Sequence, residues 1–266
     1  MCIFRGVKHC STVIYRDMAK QKGIIPLVGT IGGVNFYYLN GKPVARTAGG
    51  GFNSAAIKHK KSMERVRENG KEFGACSRVN KMFRQALRPF YMRYKFTFFH
   101  SRLMRLFTDL KSLDAVNGRG ARCVSKGVAT AKGKQLLVDF NYTPNCVPRT
   151  VLPFLYAVDE ATCVCTVSRF AIDKVVFIPG ATHVAIQYGV LDFNFETLVF
   201  DMHLADVQLL SRTATDSSLT FVPNSLPVGT GVLLAVVGVR YYQEIDGELY
   251  VLNSEKGVGI EVLQVW

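Results

Sequence analysis

The sequence predicts an α+β fold: an N-terminal β-hairpin and amphipathic helices, followed by a C-terminal antiparallel β-sandwich. Three observations carry this expectation. Asn40-Gly41 separates two short apolar runs, the stretch from Ile57 to Ala115 has apolar residues at helical spacing, and eight apolar-rich segments divided by turn residues fill the remainder.

Residues 1–17, "MCIFRGVKHCSTVIYRD", show no periodicity. They scatter Arg5, Lys8, Arg16 and Asp17 where a secretion signal needs an unbroken apolar core. They are expected to be a non-native or disordered leader, with Met18 as the true start. "GIIPLVGTIGG" and "VNFYYL" then lead into Asn40-Gly41 and "KPVAR". Asn-Gly supplies two positive-φ residues for a tight hairpin, so a small β-meander is expected, with "TAGGGFNS" as its exit. "GTIGG" lacks the spacing and the Gly-Lys-Ser/Thr ending of a phosphate loop, and turn chemistry is the better reading.

The helical region follows. In "SRVNKMFRQALR", Val79, Met82, Phe83, Ala86 and Leu87 fall on one side of a helical wheel and Arg78, Lys81, Arg84 and Arg88 on the other. Pro89 ends that helix near Arg88. Asn69-Gly70 suggests a break upstream, and Ser101 is a candidate N-cap for a second amphipathic helix carrying Leu103, Leu106, Phe107 and Leu110. Residues 18–116 are thus expected to form a basic hairpin-plus-helical region. The Gly- and Lys-rich residues 117–133 are the linker candidate, and residues 134–266 the β-sandwich. Its strands run from "QLLVDFNY" to "IEVLQVW", with Asp246-Gly247 as a second hairpin turn.

Charge divides along the same line. Up to residue 126 there are 25 Lys/Arg against 6 Asp/Glu, a balance of +19, whereas the rest has 8 against 14, or −6. A basic half beside an acidic half suggests a polyanionic partner or head-to-tail contact between copies. The long uncharged run Ser217–Val239 contains Pro223 and Pro227 and does not read as a membrane span. The seven cysteines form no C-x-x-C pair and no zinc-type spacing, and Cys163 and Cys165 read as core residues, which fits a reducing, cytoplasmic setting.

Catalytic constellations are thin. Asp201 and His203 share a strand face in "FDMHL", so a base with a nearby carboxylate is conceivable, but no nucleophile elbow surrounds them. The acids are dispersed singly and give no metal cluster. The strongest remaining signal is "RPFYMRYKFTFFHSRLMR", where cations alternate with aromatics. Arg78, Lys81, Arg84, Arg88, Arg93, Lys95, Arg102 and Arg105 are the candidate basic stripe. Tyr91, Tyr94 and Phe96 are candidate stacking residues for unpaired bases.

"MAKQKGI", "GTIGG", "FYYLNGKPVAR", "RVRENGKEFG", "SRL", "NGRGAR" and "GVRYYQEIDGELYVL" together resemble an uncharacterised bacterial protein family of unknown function. The resemblance runs from Met18 to the end and is most specific in "RVRENGKEFG". It departs in "FYMRYKFTFF" and "TAGGG", and it implies no activity, catalytic residue or cofactor. The expected function is therefore that of a non-enzymatic interaction or structural protein. It would assemble with itself or a protein partner through the basic helical face and the acidic sandwich, with nucleic acid as the competing partner and with no cofactor, metal or membrane.

Overall fold

The structure is a computed structural model that describes residues 18–23, 25–48, 54–92 and 94–266. The expected leader at 1–17, the glycines of "TAGGG" at 49–51 and the candidate Arg93 lie outside the described residues. Two compact units meet in sequence at Met63 and Glu64.

The first unit carries the expected meander. Strands β1 (Met18–Lys20), β2 (Gly29–Ile31), β3 (Val34–Leu39) and β4 (Lys42–Thr47) form one antiparallel sheet in the order β1-β4-β3-β2. Asn40 at φ +51° and Gly41 at φ +75° close the β3–β4 hairpin, and Gly32 and Gly33 repeat that geometry between β2 and β3. Gly32 and Gly33 of "GTIGG" therefore serve the turn, while Gly29 opens β2. Helix α1 (Ser54–His59) follows, and Val44 and Ala56 are the buried apolar residues described in this unit.

The second unit has three layers. Its helices are α2 (Glu64–Ala86), α3 (Arg88–Tyr91), α4 (Phe99–Ser112), α5 (Val124–Val128), α6 (Ala131–Asp139) and α7 (Pro148–Val151). Its strands are β5 (Tyr156–Val158), β6 (Cys165–Ser168), β7 (His183–Phe193), β8 (Phe200–Leu204), β9 (Gln208–Ser211), β10 (Ser218–Phe221), β11 (Val232–Ile245), β12 (Glu248–Val251) and β13 (Val258–Val265). The central sheet runs β12-β11-β7-β8, with β13 also paired to β11 and β9 to β7. A smaller sheet runs β10-β6-β5.

Strand alternation explains the layering, because successive side chains leave opposite faces of a sheet. Leu191, Phe193, Leu234 and Val236 join a helical core with Phe83, Leu103 and Phe107. Ile186, Tyr188, Val190, Ala235 and Val237 join Cys165, Val167, Leu219 and Phe221 of the smaller sheet. The central strands are thus buried on both faces, which is why "GVLLAVVGV" reads as a continuous apolar run. The expected α+β class and the C-terminal antiparallel sheets are both present.

Local departures from expectation have physical causes. "QLLVDFNY" supplies most of α6 rather than a strand: the Thr130 hydroxyl caps the helix by accepting from the Gly133 N–H, and Gly133 and Leu137 pack one turn apart. A short apolar run does not declare its period. The residues expected to form a linker, 117–133, contain α5 and the start of α6, with Val124 and Val128 buried. Their glycines permit close approach: a Cβ on Gly127 would lie 1.9 Å from the Leu110 carbonyl oxygen, and one on Gly133 would lie 2.0 Å from that of Gly127. Asn69-Gly70 does not break α2, whose buried residues Glu72, Cys76, Val79 and Phe83 hold it as one helix. Ser101 lies inside α4, which begins at the buried Phe99 without a side-chain cap.

Candidate functional site: the basic helical face

α2 supplies the core of the predicted stripe. Its apolar side buries Cys76, Val79 and Phe83, and this leaves Arg78 and Lys81 exposed on the other. Lys71, two turns before Arg78, lies on the same side and is also exposed, so the stripe starts earlier than the sequence suggested. Arg88, Lys95 and Arg105 are exposed as well, and none of these six has a hydrogen-bond or ion-pair partner among the described residues.

The other two predicted cations among the described residues, Arg84 and Arg102, are engaged. Arg84 is half-buried and donates through Nε to Asn80 Oδ1 at 3.0 Å. Arg102 donates to the Asn141 carbonyl and lies 5.7 Å from the Phe140 ring centroid, and burial lowers its pKa from the usual arginine value. Arg102 and Arg105 line a groove of about 380 Å³ whose wall also carries Asp109 and Asp139.

The candidate stacking residues are consumed in packing. Tyr91 stands edge-on to Phe99 at 5.5 Å, Tyr94 meets Phe96 at 4.7 Å, and Phe96 meets Phe99 at 5.3 Å. The Tyr91 hydroxyl donates to the Arg84 carbonyl at 2.7 Å, and burial raises its pKa. These rings brace the α3–α4 connection. The cations they alternate with in sequence project from several elements.

A buried charge cluster supports this layer from within. The Glu72 carboxylate accepts from Arg122 Nε and Nη2, both at 3.0 Å, from Lys111 Nζ at 2.7 Å and from the Gly120 N–H at 2.7 Å. Hydrogen bonding from Arg122, assisted by Lys111 and Gly120, outweighs burial and lowers its pKa to about 2. The segments "RVRENGKEFG" and "NGRGAR", about fifty residues apart in sequence, meet at this cluster. The readable signal for it was an acid on an apolar stripe, since Glu72, Cys76, Val79 and Phe83 recur at helical spacing. Nearby, burial pushes the Asp114 carboxyl up, but donors from Asn117, Cys123 and Val116 outweigh it and hold the pKa well below the ordinary range.

Asp201 and His203 do share a strand face, with His203 Nε2 at 3.7 Å from Asp201 Oδ2 and Nδ1 at 2.7 Å from Ser225 Oγ. Ser225 is the partner that the sequence could not supply, because the pairing of Ala205 with Pro223 brings its loop back over β8. Among the described residues no three His, Cys, Asp or Glu side chains are grouped to hold a metal ion, and no helix is long and apolar enough to cross a membrane. No family model matches the chain, and neither does any curated protein or solved structure.

Proposed function

We propose that this chain is a non-enzymatic interaction protein that docks an acidic protein surface, including the acidic sheet half of another copy, against its basic helical face. The observation that carries this reading is the set of exposed, unpartnered cations Lys71, Arg78, Lys81, Arg88, Lys95 and Arg105 on the helical layer. Exposed acids suited to meet them stand on the β layers, among them Asp159, Glu160, Asp206, Glu244 and Glu248. Opposed fields of this kind steer association and set orientation more than they add affinity. Nucleic acid would use the same cations for phosphate contacts, but the packed state of Tyr91, Tyr94 and Phe96 weighs against base stacking there.

Light scattering on the eluting protein at low and high salt tests the assembly. Association at low salt that is lost on R78E/K81E supports it, and a monomer at every concentration and salt overturns it. A titration with single-stranded nucleic acid at two salt concentrations separates the competing partner, since phosphate contacts give steep salt dependence.

A further inference from the structure

On the opposite face of the central sheet from the helices, we propose a binding site for an organic cation, an ammonium or guanidinium group on an aliphatic stem. The site is a cleft of about 380 Å³ between β7, β8 and the loop from Val228 to Gly231. Asp192 of β7 and Asp201 of β8 are direct cross-strand partners, so their side chains leave the same face. Both line the cleft, together with His203, and among the described residues no Lys or Arg does.

Asp192 is the decisive residue. It is only 6 % exposed, yet it has no hydrogen-bond or ion-pair partner among the described residues. Its carboxylate opens onto the cleft without a protein donor among the described residues to replace the water it has lost, and a like charge directly across the ladder adds to the cost. The loop is shaped to the carboxylate: a Cβ on Gly229 would lie 2.2 Å from Asp192 Oδ2, and one on Gly231 would lie 2.0 Å from Oδ1. Only glycine lets the backbone close so tightly over that group. A cation set between the two carboxylates relieves both costs at once.

The remaining lining fixes the class of cation. No group of three acidic, His or Cys side chains among the described residues can hold a metal ion, and the cleft volume is that of a small organic group. Val199 and Val228 offer apolar contact for a stem, and Thr230 also lines the cleft. The His203 ring is held by Ser225 on one side and faces Asp201 on the other. Nothing in this site depends on the basic helical face.

Isothermal titration calorimetry on the full chain tests the assignment, with n-butylguanidinium and n-butylammonium as probes and uncharged n-butylurea as control. Either cation is expected to bind, the urea is not, and Asp192→Asn should weaken the cation by about tenfold, the loss of one charged contact. Asp201→Asn, at a side chain 77 % exposed, tests the same site without touching the interior and should weaken binding several-fold. Absence of heat with both cations at millimolar concentration overturns the proposal, as does equal binding of the urea or wild-type affinity in both variants. Light scattering at saturating butylguanidinium separates the sources of the cation. Dissociation of an assembly assigns the cleft to a Lys or Arg side chain of a second copy, and binding without a change in mass assigns it to a free small cation.

Discussion

Arg122 donates two hydrogen bonds of 3.0 Å to Glu72 across fifty positions of sequence, and it joins the start of the helical layer to the turn that follows α4. Lys111 approaches the same carboxylate, so one buried acid holds two cations. Glu72→Gln keeps the shape and leaves both cations without a counter-charge. It should lower stability by about 3 kcal/mol, read by chemical denaturation at pH 7. A loss well under 1 kcal/mol would show that the cluster is not a structural clasp.

Acid should narrow the gap between these two proteins. The folded pKa of Glu72 is about 2 against an ordinary value of 4.5, so its stabilising contribution is complete above about pH 4.5 and is lost as pH falls through about 2. Wild type should therefore lose stability faster than E72Q over that window, measured as denaturation midpoints at stepped pH. Parallel profiles would contradict the pairing.

Phe83 is fully buried where the helical layer meets the central sheet, with Phe107 at 5.4 Å and Phe193 at 5.5 Å between ring centroids. Phe83→Ala opens a cavity that four neighbouring rings cannot readily fill. The expected cost is about 4 kcal/mol, visible as a large drop in thermal midpoint.

Gly127→Ala tests the close crossing of α4 and α5, since the added methyl has no room against the Leu110 carbonyl. The backbone must shift, at a cost of about 3 kcal/mol. The same change at Gly70, where an added Cβ meets nothing within 4 Å, should instead be neutral or raise helix stability by up to about 1 kcal/mol.

Thiol labelling should sort the described cysteines by burial. Cys146 and Cys165 have their thiols pushed up to about 12 by burial, and Cys76 and Cys163 shift in the same direction for the same reason. Peptide mapping after brief iodoacetamide treatment at pH 8 should find Cys123 modified well before these four. Early labelling of Cys163 or Cys165 would contradict their place between the sheets.

Several elements could be read before any contact was known. The Asn40-Gly41 and Asp246-Gly247 turns appear as expected, each with two positive φ angles, because the preference resides in the turn residues themselves. The division of α2 into apolar and cationic sides was legible because helical spacing is a local property. The α6 segment was not, since its apolar residues are too few to choose between periods and its packing against β13 decides the outcome. Of the predicted stripe, Arg78, Lys81, Arg88, Lys95 and Arg105 project freely. Arg84 and Arg102 are held by Asn80 and Asn141, partners that helical spacing alone does not specify.

By itself the sequence determined the fold class, the hairpin turns and the separation of positive from negative charge. These follow from backbone preferences and side-chain periods within a few residues of one another. Only the tertiary structure decided which charges are spent and which remain. Glu72 finds Arg122, while the sheet register sets Asp192 beside Asp201 in a cleft that no described Lys or Arg lines. Burial and register arise from contacts between distant segments, and the cost of a charge depends on what those contacts place around it.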